Sequence, residues 1–225
     1  MKTTTFALLI SCLLLGSSLR PQSAFAQQEK KSSPALTVTL NAEQVPHLQP
    51  WGEQARELMI EWHPRLSNML SSKGFEPATE IHLMLKKTEK GVAATSGRTI
   101  TVSSHWIESR PEDIGLIIHE QIHVIQGYPS GNPWWITEGI ADYLRWAIYE
   151  GKPQSWFPRP KRPQGYQSGY QVMGGFLLWL ETERAPGIVR KLNTAMRKKA
   201  YNAALFEAET GLTLDELWDR YVNEK

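Results

Sequence analysis

Residues 119–123 restrict the possible fold and chemistry of this chain more than any other feature, because two histidines and a glutamate stand inside an apolar stretch. The order is His-Glu-Gln-Ile-His, with Ile117 and Ile118 before it and Val124 and Ile125 after it. On an α-helix, positions i and i+4 share one face, so His119 and His123 can hold one metal ion together. Glu120 stands beside them, where it can hold a water that a bound Zn²⁺ polarises. Burying the three groups without a partner would be costly, which favours a metal site over a chance pattern.

Local signals predict a helix here. Ser109 and Glu112 have the spacing of a capping box, and Pro111 occupies the first turn, where its missing N–H costs nothing. Gly127 is the predicted stop. The apolar faces of this helix come from Ile114, Ile117, Ile118, Ile122, Val124 and Ile125.

A third metal ligand is expected from the segment that follows. Thr137 can cap a helix that runs to Glu150 and stops at Gly151. On it, Glu138 and Asp142 are four positions apart and share a face. We expect Glu138 to be the third ligand and Asp142 to accept the spare N–H of a ligand histidine. The alternatives are an ordinary carboxylate at a helix N-terminus for Glu138 and a surface charge for Asp142.

The rest of the chain predicts an α+β fold. It has a small N-terminal mixed sheet with the HExxH helix, then a mainly helical C-terminal part, since strands come first and helices later. A long amphipathic helix is predicted to follow Pro50 and to end near Gly74. A proline-rich loop is predicted from Lys152 to Gln164, and we expect it to lie over the cleft. A capping box at Thr213 starts a terminal helix. The expected strands are 35–40, 80–85 and 98–103, with a loose segment at 91–97.

The N-terminus predicts a secreted or periplasmic protein. Residues 1–26 read as a Sec signal peptide, with a short apolar core and a small-x-small cleavage site that ends at Ala26. Residues 27–34 are a flexible lead-in, and 35–225 form a single domain. The alternative is a lipoprotein whose modified residue is Cys12, although the later cleavage site fits the usual layout better.

Composition narrows the metal chemistry and the partners. The chain has 1 Cys, and it lies in the signal peptide, so a metal in the mature protein must be held by histidine and carboxylate. Of 25 basic residues, Lys2 and Arg20 are removed with the signal, which leaves 23 against 23 acidic residues. Zero net charge gives no reason to expect nucleic acid or stable membrane association.

The two motifs together resemble a known family. HExxH followed by Trp-x-x-Glu-Gly-x-Ala resembles the gluzincin metallopeptidases, and the whole chain is more similar to the basic secretory protein family of plants and bacteria, a zincin-like group. The neutral mature chain departs from the family's basic label, and Gly174-Gly175 stands where bulkier helix residues are expected. The resembling segments are 91–93, 100–107, 117–126, 138–143, 169–177, 189–193 and 215–218.

The resemblance implies a zincin-like fold and a peptidase that uses one Zn²⁺ per chain and acts on peptide or protein substrates. Glu120 would be the general base. Tyr170 or Tyr166, expected on one helix face, would stabilise the oxyanion, unless both are packing residues. Whether cleavage is internal or terminal stays open.

The sequence also predicts which segments would bind the substrate. Residues 98–103 are the candidate edge strand for an extended peptide, with an interior strand as the alternative. Trp134 and Trp135 would form a wall of the cleft or belong to the core. A different function is a non-catalytic zincin-fold binding protein for extracellular or cell-wall polymer. The presence of Glu120 argues against it, since a pure binder needs no general base.

Overall fold

A four-stranded mixed sheet forms the N-terminal part of the fold in this computed structural model, which describes residues 35–224. Three parallel strands carry alternating or continuous apolar residues, and a fourth strand is antiparallel. The spatial order is β1-β2-β4-β3. The strands are β1 (Thr37–Asn41), β2 (Glu80–Lys86), β3 (Ala93–Ser96) and β4 (Thr99–Ser103). The α+β class and the small mixed sheet are therefore confirmed.

The edge of the sheet differs from the prediction. The segment 91–97, expected to be loose, contains β3, which pairs with β4 from Ala93↔Val102 to Ser96↔Thr99. Residues 98–103 are thus interior, and the prediction that they form the edge was wrong. Alanine and glycine are depleted in strands, so the composition hid β3, and the pairing partner decides its conformation.

Helix α1 (Gln49–Met69) packs on the sheet through one apolar face, as its periodicity predicted. Trp51, Ala55 and Met59 are buried there with the inward residues of the strands. The helix ends at Met69 rather than near Gly74, so only its C-terminal bound was misjudged.

Helix α3 (Leu116–Gln126) carries the HExxH sequence and separates two apolar cores. Ile117 and Val124 pack into the sheet-side core, whereas Ile118 and Ile122 pack into a core shared with the C-terminal helices. A helix buried on both sides needs apolar residues nearly all round, which explains its composition.

The two ends of α3 differ in how well the sequence predicted them. Its C-terminus lies at Gly127, whose φ of 52° is left-handed, so the predicted stop is confirmed. The predicted capping box was wrong. Ser109 ends a short helix, α2 (Ser104–Ser109), and its hydroxyl donates to the carbonyl of His105 at 2.8 Å.

Helix α4 (Trp134–Asp142) continues as a π-helical turn over Tyr143–Tyr149, and Gly151 follows it as predicted. It starts three residues before Thr137, so the predicted cap was wrong. The Thr137 hydroxyl instead donates to the carbonyl of Pro133, one turn back. Wide π turns are frequent at functional sites.

Helix α5 (Tyr170–Trp179) crosses α4 at unusually short range. A Cβ added at Gly139 of α4 would lie 2.2 Å from the Met173 side chain, and one at Gly174 would lie 3.0 Å from the amide nitrogen of Tyr143. Close backbone approach therefore requires glycine, which accounts for the unexpected Gly174 in the sequence.

The C-terminal helices close the second core around an aromatic cluster. The predicted capping box is present, with Thr213 and Glu216 bonded reciprocally at the start of the last helix. The aromatic cluster consists of Tyr166, Phe176, Trp179, Trp218 and Tyr221. The helices are α6 (Ile188–Arg197), α7 (Ala204–Thr210) and α8 (Leu214–Asn223), after a π turn at Leu180–Arg184.

The proline-rich loop is irregular, as predicted, but it lies against the aromatic cluster rather than over the cleft. Gln154 donates to the hydroxyl of Tyr221 at 3.1 Å, and Arg159 lies over the same ring. The predicted signal peptide and lead-in, residues 1–34, lie outside the described residues. No helix between residues 35 and 224 is both long enough and apolar enough to cross a membrane.

Candidate metal centre

His119 and His123 lie one turn apart on α3 and turn their rings towards the same point. The two Nε2 atoms are 3.0 Å apart, and His119 is only 9% exposed. The 3.6-residue period of the helix places them together, and the apolar residues on its other faces fix the helix between two cores. The structure therefore brings this predicted pair together.

Glu138 of α4 completes a group of three. Its Oε2 atom lies 3.1 Å from Nε2 of His119 and 3.5 Å from Nε2 of His123. All three ligand atoms lie within 4.8 Å of one another. Ligand atoms about 2.0–2.2 Å from a tetrahedral Zn²⁺ are separated by about 3.3 Å, so the observed distances suit one ion.

The outer nitrogens of both rings have fixed acceptors. Nδ1 of His119 lies 2.7 Å from Oδ1 of Asp142, and Nδ1 of His123 lies 2.8 Å from Oε1 of Gln126. The Gln126 amide is oriented because its nitrogen donates to the carbonyl of Thr137 at 2.9 Å. Both Nδ1 atoms therefore carry the proton in a metal-binding form, and both Nε2 lone pairs are free for an ion.

Asp142 thus occupies the place that the i, i+4 spacing predicted for it, whereas Gln126 was missed. Its signal was available in the sequence, since Gln126 follows His123 by three positions on the same helix. We use the name metal-facing cluster for His119, His123, Glu138 and Asp142.

The charges of the cluster favour a cation. Burial would lower the pKa of His119, but hydrogen bonds to Asp142 and Glu138 outweigh it and raise the pKa to about 9. Burial would likewise raise the pKa of Glu138, but the hydrogen bonds from the two histidines lower it to about 2. The Glu138 carboxylate therefore stays ionised and stabilises positive charge between the rings.

Glu120 is buried beside the cluster and held by a strand residue. The hydroxyl of Thr95 in β3 lies 2.7 Å from Oε2 of Glu120 and 3.1 Å from its main-chain oxygen. Glu120 is 8% exposed and lines the same cavity as the two histidines. The sequence gives no signal for Thr95, since the composition of residues 91–97 predicts a loose segment.

The two candidate tyrosines are placed very differently. Tyr170 is 51% exposed, lines the cavity, and stacks near His119 with ring centroids 6.4 Å apart. Partial burial and the carboxylates of Glu138, Asp142 and Glu120 raise the pKa of Tyr170, which keeps its hydroxyl able to donate. Its φ of 42° is uncommon for a residue other than glycine, and such strain clusters at functional sites.

Tyr166 does not reach the cavity. It is 4% exposed, and its hydroxyl donates to Asp215 at 2.7 Å inside the aromatic cluster. The predicted common helix face was wrong, because Tyr166 lies in a 3₁₀ turn (Gly165–Ser168) and α5 begins only at Tyr170. Gly169 stands between them with φ 65° and ψ −156°, which interrupts the helical path.

One cavity of about 890 Å³ is lined by the metal-facing cluster together with Glu120, Thr95 and Tyr170. Strand β3 borders it on one side, α3 and α4 form its floor, and Tyr170 with Gln171 borders the other. Trp134 lies against Tyr170 with the two rings tilted by 55° and their centroids 6.0 Å apart, whereas Trp135 packs against Tyr166. The two tryptophans therefore do not form a common wall.

Comparison with known proteins agrees with the motifs. A family model described as a peptidase of plants and bacteria, abbreviated BSP, matches residues 34–221. This match confirms the resemblance drawn from the sequence. Searches of curated proteins and of solved structures gave no match.

Proposed function

Because the chain belongs to the BSP family, the peptidases of plants and bacteria, we propose that it is a secreted zinc-dependent peptidase with Glu120 as general base. One observation carries the proposal. Two imidazole nitrogens and a carboxylate oxygen converge on one point, and a buried carboxylate lies next to that point in a cavity.

The donor set supports Zn²⁺ as the cofactor, one per chain. Two histidines and one glutamate form a known catalytic zinc set that leaves a position for water or substrate. When bound, Zn²⁺ supplies a Lewis acid that polarises the scissile carbonyl and makes water more acidic. The acceptors on both Nδ1 atoms support this proposal, because such partners orient histidines for a metal.

Three side chains of the protein carry out the other steps of the proposed reaction, namely Glu120, Thr95 and Tyr170. The Glu120 carboxylate accepts a proton from the attacking water and passes it to the leaving amine. Thr95 holds that carboxylate in place through its hydroxyl. Tyr170 donates a hydrogen bond to the carbonyl oxygen as negative charge develops on it. Tyr166 has no part, since its hydroxyl is bonded to Asp215.

Substrate binds as an extended chain along β3. This strand has β4 on one side only, and residues 92–95 line the cavity. Main-chain groups on the free side of an edge strand can pair with an added peptide strand, independently of its sequence. The scissile bond would then pass in front of Glu120, to which Thr95 of the same strand is bonded.

Secretion is the remaining part of the proposal. We expect a Sec signal peptide to be cleaved after Ala26, which gives a secreted or periplasmic enzyme with Gln27 at its N-terminus. Intact mass of the exported protein decides this. A lipid-modified Cys12 at the N-terminus would show lipoprotein processing instead.

The experiment compares the mature wild type with Glu120→Gln. Zinc content is measured by mass spectrometry, and cleavage of unfolded casein is followed by gel. One zinc in both proteins, with cleavage lost only in the variant, supports the proposal. Zinc in both without cleavage in either would favour the non-catalytic binding protein. Absence of zinc from both after loading would contradict the metal site itself.

A further inference from the structure

A second groove continues the metal-facing cavity. It has a volume of about 590 Å³ and shares three lining residues with the first cavity, namely Arg145, Trp146 and Gln171. The shared residues form the passage between the two, so the cavities are parts of one cleft.

The metal-facing cluster lies between the two ends of this cleft. The first cavity reaches past the C-terminal end of α3 to Tyr128, while the second groove lies beyond its N-terminal end at Ile114 and Gly115. The eleven residues of α3 span about 16 Å, and His119 and His123 lie in the middle. A bound chain can therefore extend away from the cluster in both directions.

Three charged groups that line the cleft, Arg145, Glu138 and Asp142, already have partners, so none of them is free to bind an end of the substrate chain. Arg145, the cation common to both cavities, is buried and forms ion pairs with Asp113 and Glu150. It therefore has little net charge to offer a terminal carboxylate. The carboxylates nearest the histidines, Glu138 and Asp142, are hydrogen-bonded to them and do not remain for a terminal amine.

Two indole rings line the groove. Trp106 and Trp146 both line it, and each carries an arginine on its ring, Arg110 at 4.1 Å and Arg145 at 3.9 Å. The indole nitrogen of Trp106 donates to Asp113. Indole walls suit a bulky uncharged side chain of the substrate, and beside Trp146 the charge of Arg145 is offset by Asp113 and Glu150.

We propose that the two cavities form one substrate cleft that takes an internal stretch of polypeptide, with a bulky uncharged side chain of the substrate in the groove lined by Trp106 and Trp146. This inference rests on the proposed peptidase function and makes the protein an endopeptidase.

Internally quenched peptides blocked by acetyl and amide groups test it. One series is lengthened by single residues on either side of the cleaved bond, and the distal residue is Phe, Gly, Lys or Asp. We expect blocked peptides to be cleaved as well as free ones. At one distal position, Phe should raise kcat/KM about 10- to 100-fold over Gly, with Lys and Asp no better than Gly. A requirement for a free terminus, or equal rates for all four residues, overturns the inference.

Variants locate the preference. Trp106→Leu and, separately, Trp146→Leu should lower the Phe-to-Gly ratio at least fivefold, because each removes an indole wall. His105 is an exposed neighbour of Trp106 on α2, so His105→Ala is the matched control and should keep the Phe-to-Gly ratio of the wild type. A variant that folds poorly should cleave the Phe and the Gly peptides more slowly by the same factor, so the ratio of their kcat/KM values stays unchanged. An unchanged ratio in both tryptophan variants overturns the assignment of the groove. If the zinc-loaded wild type cleaves no peptide, the proposed function fails as well, whereas cleavage without distal preference contradicts this inference alone.

Discussion

Two buried polar networks meet on α3, and they differ in where their hydrogen bonds end. One is the metal-facing cluster. The other, here called the anchor cluster, consists of Tyr128, Asn193 and Arg197. Gln126 belongs to neither and touches both, since its side chain bonds to His123 and its main-chain oxygen accepts from Arg197. The comparison shows which buried polar groups indicate function.

In the anchor cluster, polar atoms end on the protein itself. Arg197 donates to the carbonyls of Ile125 at 2.7 Å and Gln126 at 3.1 Å, and Asn193 donates to Leu70 at 2.8 Å. These carbonyls belong to the C-terminal ends of α1 and α3, which lack helical partners. Here the buried polar groups serve as caps and fix two helix ends to α6.

In the metal-facing cluster, polar atoms point at one another. Three potential ligand atoms share one point, and carboxylates of α3 and α4 surround it. Without a metal ion, His119 carries the positive charge between the carboxylates, because, against the effect of burial, they raise its pKa to about 9, so the arrangement stabilises a cation at this point in either form. Convergence on a common point, rather than burial alone, therefore distinguishes a binding site from a structural network.

The largest expected effect comes from removing the third ligand. Glu138→Gln should weaken Zn²⁺ binding by at least about 100-fold, more than a typical loss of an outer partner, because it removes a charged donor. The unfolding free energy of the metal-free protein should fall by less than about 2 kcal/mol, because Glu138 is partly exposed and His119 keeps Asp142 as a partner. Competition with a chelator and urea denaturation measure the two quantities. Glu207→Gln, an exposed change, is the control, and equal affinity in both variants would remove Glu138 from the site.

Breaking the anchor cluster should give the opposite pattern. Arg197→Met leaves several carbonyls unpaired and should lower the unfolding free energy by about 3 kcal/mol, while folded protein still binds one zinc. Arg190→Met provides the comparison, because Arg190 also donates to helix-end carbonyls but is exposed. If Arg197→Met lost zinc without being destabilised, the anchor cluster could not be distinguished from the metal-facing cluster by its effect on stability.

A smaller effect is expected for the acceptor of His119. Asp142→Asn keeps the shape but loses the charge that orients the Nδ1–H, so Zn²⁺ affinity should fall about 10- to 100-fold. Isothermal titration of the metal-free protein with zinc measures the change. Unchanged affinity would mean that Asp142 only neutralises charge in the metal-free protein.

The smallest effects should appear where the networks meet. Gln126→Leu should lower zinc affinity about tenfold and the unfolding free energy by about 1 kcal/mol, since both His123 and Thr137 lose a partner. Gln121→Leu is a matched control, because Gln121 is buried on the same helix but bonds to Met59. The control should lose stability without losing zinc affinity. A similar affinity loss in both would make Gln126 an ordinary core residue.

The correct predictions from the sequence rest on local signals, namely residue spacing within one helix and residues at helix ends. The i, i+4 spacing on α3 and α4 identified His119, His123, Glu138 and Asp142 before any coordinates, because helical geometry alone sets which positions share a face. The stop at Gly127 and the cap at Thr213 were equally local and are present in the structure.

Long-range packing decided what the sequence could not predict. Strand β3 exists because β4 pairs with it, and only that pairing brings Thr95 to Glu120. Tyr166 was misplaced because a single residue, Gly169, changes the chain direction before α5. The close crossing of α4 and α5 depends on glycines whose purpose is visible only from the partner helix.

The central claim is that the point shared by His119, His123 and Glu138 holds a zinc ion. Crystals of the zinc-loaded protein, measured on both sides of the zinc absorption edge, test it directly. We expect one anomalous peak about 2.0–2.2 Å from the two Nε2 atoms and the Glu138 carboxylate, with both Nδ1 contacts kept. Absence of that peak, or a peak only at other residues, would contradict the account.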